Sequence, residues 1–224
     1  MRAVEGASAF ERYAVRGFPI KGVAMSESTT SISRRTLLKI IPAAWMAGIT
    51  AQSLGQTSSM PNAGSVEAKL KAMGLVLPAA PTPPPAGVRF PFVFVRVRGN
   101  RAFIAGHGPA NPDGSLAGPF GKVGGAVTVD QAYQSARLVG LSILASLKRE
   151  IGDLDRVSAW LRVFGMVNSA PGFNRQPSVI NGFSDLILDL YGAERGAHAR
   201  SAVGMAELPF DIPVEIEAEV ELVS

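Results

Sequence analysis

The chain has 224 residues, 47% of them hydrophobic and 18% charged, and contains no cysteine. That composition supports one ordinary globular domain with extensions, and it excludes global disorder, disulfides and thiol catalysis. A metal site could draw only on His107, His198 and carboxylates, a poor ligand set, and no residue pattern calls for a cofactor. The net charge of +4 arises within residues 1–56, which hold seven basic and three acidic residues; the rest of the chain holds fifteen of each. A neutral main body has no field for a phosphate backbone, so nucleic acid is not an expected partner.

Residues 33–39 read SRRTLLK, and the apolar run IIPAAWMAGITA (40–51) follows directly. Twelve apolar residues are too few to span a bilayer. A basic stretch, a short apolar stretch and small residues near ITAQS are the parts of an export signal. Arg34 and Arg35, with Leu37, Leu38 and Lys39, resemble a twin-arginine signal, which implies the twin-arginine export machinery as a partner. Residues 1–56 are therefore expected to be an export leader, with Met25 as an alternative start. Export implies a periplasmic or extracellular location, and a leader that does not function implies a cytoplasmic one. No cysteine follows the apolar run to carry a lipid, so no stable membrane anchor is expected.

Residues 57–90 read as a connecting region. QTSSMPNAGS (56–65) is a polar spacer. SVEAKLKAMG (65–74) is a short helix with Ser65 as N-cap and Gly74 as stop. LPAAPTPPPAG (77–87) carries five prolines and is expected to be extended.

The main domain is expected over 91–224. FVFVRVRG (92–99) alternates at strand period, GN (99–100) marks a tight turn, and RAFIAGHG reads as the returning strand. NPDGS (111–115) is a further turn. Thr128 and Gln131 offer a capping box to a helix with Ala132, Ala136, Val139, Ile143, Leu147 and Ile151 on one face, ended by Gly152. RVSAWLRVFGMVNS (156–169) reads as a long strand. A second helix fits 178–191, with Gly192 beyond it, and strands follow near 198–206 and 213–222. The order β-β-α-β-α-β-β implies an α+β sandwich, a mixed sheet with two helices on one face. In the last strand Val214, Ile216, Ala218, Val220 and Leu222 point to the helices. Glu215, Glu217, Glu219 and Glu221 point to solvent or to arginines.

ARSAVGMAELP (199–209) followed by VEIEAEV (214–220) resembles the signature of the RidA/YjgF family of enamine and imine deaminases. GNRAFIAGHGP, GKVGGAVTVDQAYQSARL and GDLDRV extend the resemblance from about Phe92 to the C-terminus. It implies a chorismate mutase-like fold and a homotrimer with clefts between subunits.

The resemblance also implies roles for individual residues. Arg200 would bind a substrate carboxylate, which suits its planar fork of donors. Glu215 would position water or act as a base, Asn181 would line the pocket, and Gly106 would contact substrate through its backbone. Read from spacing alone, an arginine in a strand is more often a surface or interface ion-pair partner than a site residue, and Glu215 is one of four alternating glutamates. Three positions depart from the active deaminases: Phe92 stands for a tyrosine, Ala105 for a hydroxyl residue and His107 for a glutamine. Two readings follow. One is an enzyme that hydrolyses enamine or imine intermediates of the 2-aminoacrylate type to 2-keto acids and ammonia. The other is a trimeric module that binds a small carboxylate without turning it over.

Overall fold

In the computed structural model the described residues are 64–81 and 89–223, so the expected leader, the polar spacer up to residue 63 and the second half of the proline-rich stretch lie outside them. Helix α1 spans Val66–Ala72 and is followed by strands β1 (Val95–Arg98) and β2 (Arg101–His107). Helix α2 (Val129–Ile151), strand β3 (Val157–Asn168), helix α3 (Gln176–Gly196) and strands β4 (Ala199–Met205) and β5 (Val214–Leu222) complete the chain. The sheet order is β1-β2-β5-β3-β4, antiparallel throughout except for the parallel β3–β4 pair. This is the mixed α+β sandwich read from the sequence.

Local chemistry explains the boundaries. The Thr128 hydroxyl accepts from the Gln131 amide at 3.2 Å, and the Gln131 side chain accepts from the Thr128 amide at 2.9 Å. This reciprocal box starts α2, and Gly152 at φ 81° stops it. Helix α3 opens at Pro177 in its first turn and is interrupted at Gly192, φ 74°, where the sequence expected its end; one more helical turn follows the break. Helix α1 seats Val66 and Leu70 in the same core as the sheet. Its first amide donates to Asp155 Oδ2, and Lys69 donates to the Leu190 carbonyl at 2.7 Å.

The core lies between the helices and one face of the sheet. Trp160, Val163 and Val167 of β3 meet Phe183, Ile180 and Ile187 of α3 there. Gly165 is needed at its place because a Cβ would overlap Ile180. Strand β5 alternates as its sequence demands, with Val214, Ile216, Ala218, Val220 and Leu222 buried. Its glutamates look the other way, and the chain's own arginines flank them: Glu219 stands between Phe103 of β2 and Arg162 of β3, and Glu221 is level with Arg101.

Candidate active site

Strand β2 carries a bulge. Ile104 is level with Ala218 and His107 with Ile216, so Ala105 and Gly106 together face only Glu217. Bulges re-aim side chains. Ala102 and Ile104 point to the helices, and the extra residue sends His107 there in place of Gly106. Gly106 is left against the side chain of Glu215, so close that a Cβ at this position would overlap the carboxylate.

The bulge also shortens the first strand. The expected strand over 92–99 is regular only from Val95, and the Ala105 amide bonded to the Phe94 carbonyl at 3.0 Å is its last link. Phe90, Phe92 and Phe94 form an edge-on cluster with ring centres 5.3–5.8 Å apart. They line a cleft of about 450 Å³ together with Gly106, Glu215 and Phe210.

His107 forms part of the cleft wall but is only 3% exposed. Its Nδ1 meets the Ala105 carbonyl at 2.7 Å. A carbonyl only accepts, so Nδ1 carries the proton and Nε2 accepts from Ser146 Oγ at 2.8 Å. Ser146 in turn accepts from Arg149 at 2.9 Å. Burial lowers the His107 pKa to about 4, so the ring is neutral at ordinary pH. With both nitrogens engaged, this histidine supplies shape and polarity to the wall and holds no proton for transfer.

A second relay of the same design holds Arg200. His198 Nδ1 donates to the Gly196 carbonyl at 2.7 Å, and Nε2 accepts from Ser184 Oγ at 3.0 Å. Ser184 accepts from Arg200 Nη1 at 2.9 Å, and Asn181 Oδ1 accepts from the same nitrogen at 3.0 Å. Both helix residues sit one turn apart on α3, which fixes the fork above β4. Burial lowers the Arg200 pKa, with Asp185 acting in the opposite sense, yet a guanidinium stays charged at any working pH. Among the described residues of one chain no carboxylate forms an ion pair with Arg200.

The side chains of Arg200 and Glu215 point to opposite faces of the sheet. Arg200 is level with Val163, a core residue, and points to the helices. Glu215 is level with Met166 and sits between the buried Val214 and Ile216, so it points away from them. Two strand spacings and three residues separate the positions, roughly 14 Å in the plane of the sheet. Within one chain, therefore, Phe92, Gly106, His107 and Glu215 meet at the cleft while Arg200 and Asn181 meet elsewhere. Ala105 lines neither; its side chain borders a hollow on the open sheet face with Phe103, Arg162, Phe164 and Glu217.

Burial raises the Glu215 pKa, and the neighbouring Glu217 adds to the effect. A carboxyl so placed holds its proton above the usual carboxylate range. Sequence reasoning did not single out Arg149, Ser184 or Phe210. Arg149 looks like any basic residue completing the last turn of a helix, and no sequence signal marks a serine that orients an arginine from another element.

The family model described as "YjgF/chorismate mutase-like, putative endoribonuclease" matches residues 67–214. The chain belongs to the RidA/YjgF family. The match takes in α1 and the positions of Gly106, Asn181 and Arg200, and it ends one residue before Glu215. The chain is 39% identical over 159 residues to Protein TCP17 of Trypanosoma cruzi, covering 71% of this chain and 95% of that protein. A crystal structure of Atu1372 from Agrobacterium tumefaciens, a protein of unknown function, is similar with TM-score 0.62 and 38% identity. It covers 70% of this chain and 92% of its own. A Shewanella oneidensis protein given the same endoribonuclease description has TM-score 0.64 at 27% identity, covering 71% and 100%. The YjgF/chorismate mutase-like fold is thus the fold of this chain.

Proposed function

We propose that this RidA/YjgF-family chain hydrolyses reactive enamine and imine intermediates to 2-keto acids and ammonia, in clefts between the subunits of a homotrimer. The observation that carries this reading is the division of the site. A guanidinium fixed on the helix side of the sheet, with no ion-pair partner among the described residues, and a raised-pKa glutamate that points away from the helices into a cleft at the β2 bulge are two halves of one constellation. Each half lacks what the other offers, and packing copies of the chain around a threefold axis would bring Arg200 of one subunit to Glu215 of the next.

The chemistry needs little beyond these groups. An enamine such as 2-aminoacrylate takes a proton on its terminal carbon and becomes an imine. Arg200 holds the carboxylate through its fork. Water adds to the imine carbon while Glu215 orients it and accepts its proton. The resulting aminoalcohol collapses, the nitrogen leaves as ammonia, and a 2-keto acid remains. No covalent enzyme intermediate is required.

A second reading rests on a specific feature. Phe92 brings a phenyl ring into the cleft where active deaminases of this family carry a phenol, and Ala105, which borders the separate hollow on the open sheet face, offers no hydroxyl there. A trimer without those hydroxyls could bind the carboxylate and not turn it over. Ammonia release from freshly generated 2-aminoacrylate, by wild type and Arg200→Ala side by side, separates the two. Release that is lost in the variant supports the enzyme. Arg200-dependent binding of 2-keto acids without release supports the module. A monomer in sedimentation at micromolar concentration would overturn both.

Export through the twin-arginine machinery is a further proposal, resting on residues 33–51 alone. N-terminal sequencing of protein from the native host tests it; a mature chain retaining Arg34 and Arg35 would overturn it.

A further inference from the structure

We propose that the Glu215 cleft selects ligands with a bulky apolar side chain, aromatic ones above all, and that Phe92 and Phe210 determine this preference. The inference rests on the reading of the cleft given above and names the substrate class that fits it.

Size is the first argument. The cleft measures about 450 Å³. That lies in the range of about 300–1,000 Å³ typical of pockets for drug-sized molecules, far above the needs of a three-carbon acid. Lining is the second. Phe90, Phe92, Phe94, Phe210, Leu116 and Ile212 supply its large apolar lining. Phe90, Phe92 and Phe210 are 39%, 49% and 41% exposed, which leaves a cluster of wet aromatic rings in one concave place. Rings gathered in this way are characteristic of ligand sites and stack well on an aromatic partner.

The polar groups of the wall are already committed. Both nitrogens of His107 are engaged, and the Ser142 hydroxyl donates to the Leu138 carbonyl at 3.1 Å. Arg149, the cation of the wall, donates to the Pro78 carbonyl at 3.3 Å and to Ser146 Oγ at 2.9 Å. Glu215 and the Gly106 backbone therefore stand at one place in a wall whose other polar side chains already have partners. A ligand with its reacting carbon near Glu215 would lay its side chain on the rings.

The rings are also held in position. Phe210 and Asp211 both adopt φ 56°, a backbone region that is strained for a non-glycine residue and persists only where surrounding contacts impose it. Those contacts are present: the Gly121 amide donates to the Asp211 carbonyl at 2.7 Å, and Asn168 donates to the Asp211 carboxylate at 3.1 Å. The strained turn presents Phe210 at the cleft. On the opposite side Arg149 donates to the Pro78 carbonyl, and the Ala79 amide donates to the Pro112 carbonyl, so the proline wall is tied down as well.

The test is calorimetric binding of pyruvate, 4-methyl-2-oxopentanoate and phenylpyruvate to the full chain. Wild type, Arg200→Ala, Phe92→Ala and Phe210→Ala are compared. The 2-keto acids are stable products of the proposed reaction. The expected result is affinity rising at least about tenfold from pyruvate to phenylpyruvate, with Phe92→Ala or Phe210→Ala removing most of that ratio. Pyruvate binding as tightly as phenylpyruvate, both dependent on Arg200, would overturn the selectivity and leave the proposed function standing. Selectivity that survives both ring truncations would overturn the assignment to Phe92 and Phe210. No Arg200-dependent binding of any keto acid would overturn the functional reading and this inference with it.

Discussion

The carboxylate of Glu215 fills the space that a side chain on residue 106 would need. Gly106 is thus kept free of a Cβ by a residue more than a hundred positions later, across the β2–β5 ladder. Gly106→Ala should fold, since no positive φ is required there, but either the bulge or the glutamate must move. A loss of roughly 1–3 kcal/mol is expected from the overlap. The double variant Gly106→Ala with Glu215→Ala should recover most of it, because the clash partner is gone. Thermal melts of the four proteins in the cycle check this; additive losses would contradict the contact.

Arg200 owes its aim to three acceptors on α3, Asn181 Oδ1, Ser184 Oγ and the Pro177 carbonyl. Arg200→Ala should weaken 2-keto acid binding by about 10- to 100-fold, the usual effect of losing hydrogen bonds to a charged group. Arg200→Lys should recover little, because an ammonium cannot reproduce the two-pronged geometry. Ser184→Ala should have a smaller effect of a few fold, since Asn181 still holds the same nitrogen. Titration calorimetry measures all three, and a lysine variant as good as wild type would contradict the fork.

Glu215 gives a pH signature. Its carboxyl keeps a proton above the ordinary value of 4.5, because burial and then Glu217 disfavour the charge. If ionised Glu215 is the working form, the acid limb of the deamination pH profile should have its midpoint above 4.5, and Glu215→Gln should abolish that limb together with activity. In stability the same shift has the opposite sense. The folded chain binds the proton more tightly than the unfolded one, so stability falls as pH rises through the folded pKa. Glu215→Gln should therefore be more stable than wild type at neutral pH, as denaturant titration would reveal.

His107 works in the other direction. Unfolded, it takes up a proton near 6.5; folded, near 4. Between those values the unfolded chain binds more protons, so the stabilisation is complete above 6.5 and fades as pH falls toward 4. The span amounts to on the order of 3 kcal/mol. His198, whose pKa burial and nearby Arg200 also lower, adds in the same sense. Denaturation midpoints between pH 7 and 4 should fall accordingly, and His107→Gln should flatten most of the slope. A slope unchanged in that variant would mean that other groups carry it.

The sequence by itself determined the layers. Alternation in β5 and β3, the Thr128–Gln131 box, the apolar stripe of α2 and the stop at Gly152 are local patterns, and each found its place, while Gly192 interrupts α3 without ending it. These signals survive because their physics acts between neighbours in the chain. The family signature picked out Arg200, Asn181, Gly106 and Glu215 as residues, and it could do so without knowing where they lie.

Tertiary structure decided which of them meet. A strand pattern does not reveal a bulge, because one extra residue at 105–106 leaves the composition unchanged while redirecting His107 and shortening β1 to Val95–Arg98. Likewise the order β2-β5-β3-β4 and its pairing register put Arg200 and Glu215 on opposite faces. Register depends on contacts between distant segments, and a shift of one residue would reverse a side chain's face. The serine–histidine relays behind Arg149 and Arg200 have the same origin: each joins residues of separate elements through hydrogen bonds that exist only once the helices have docked on the sheet.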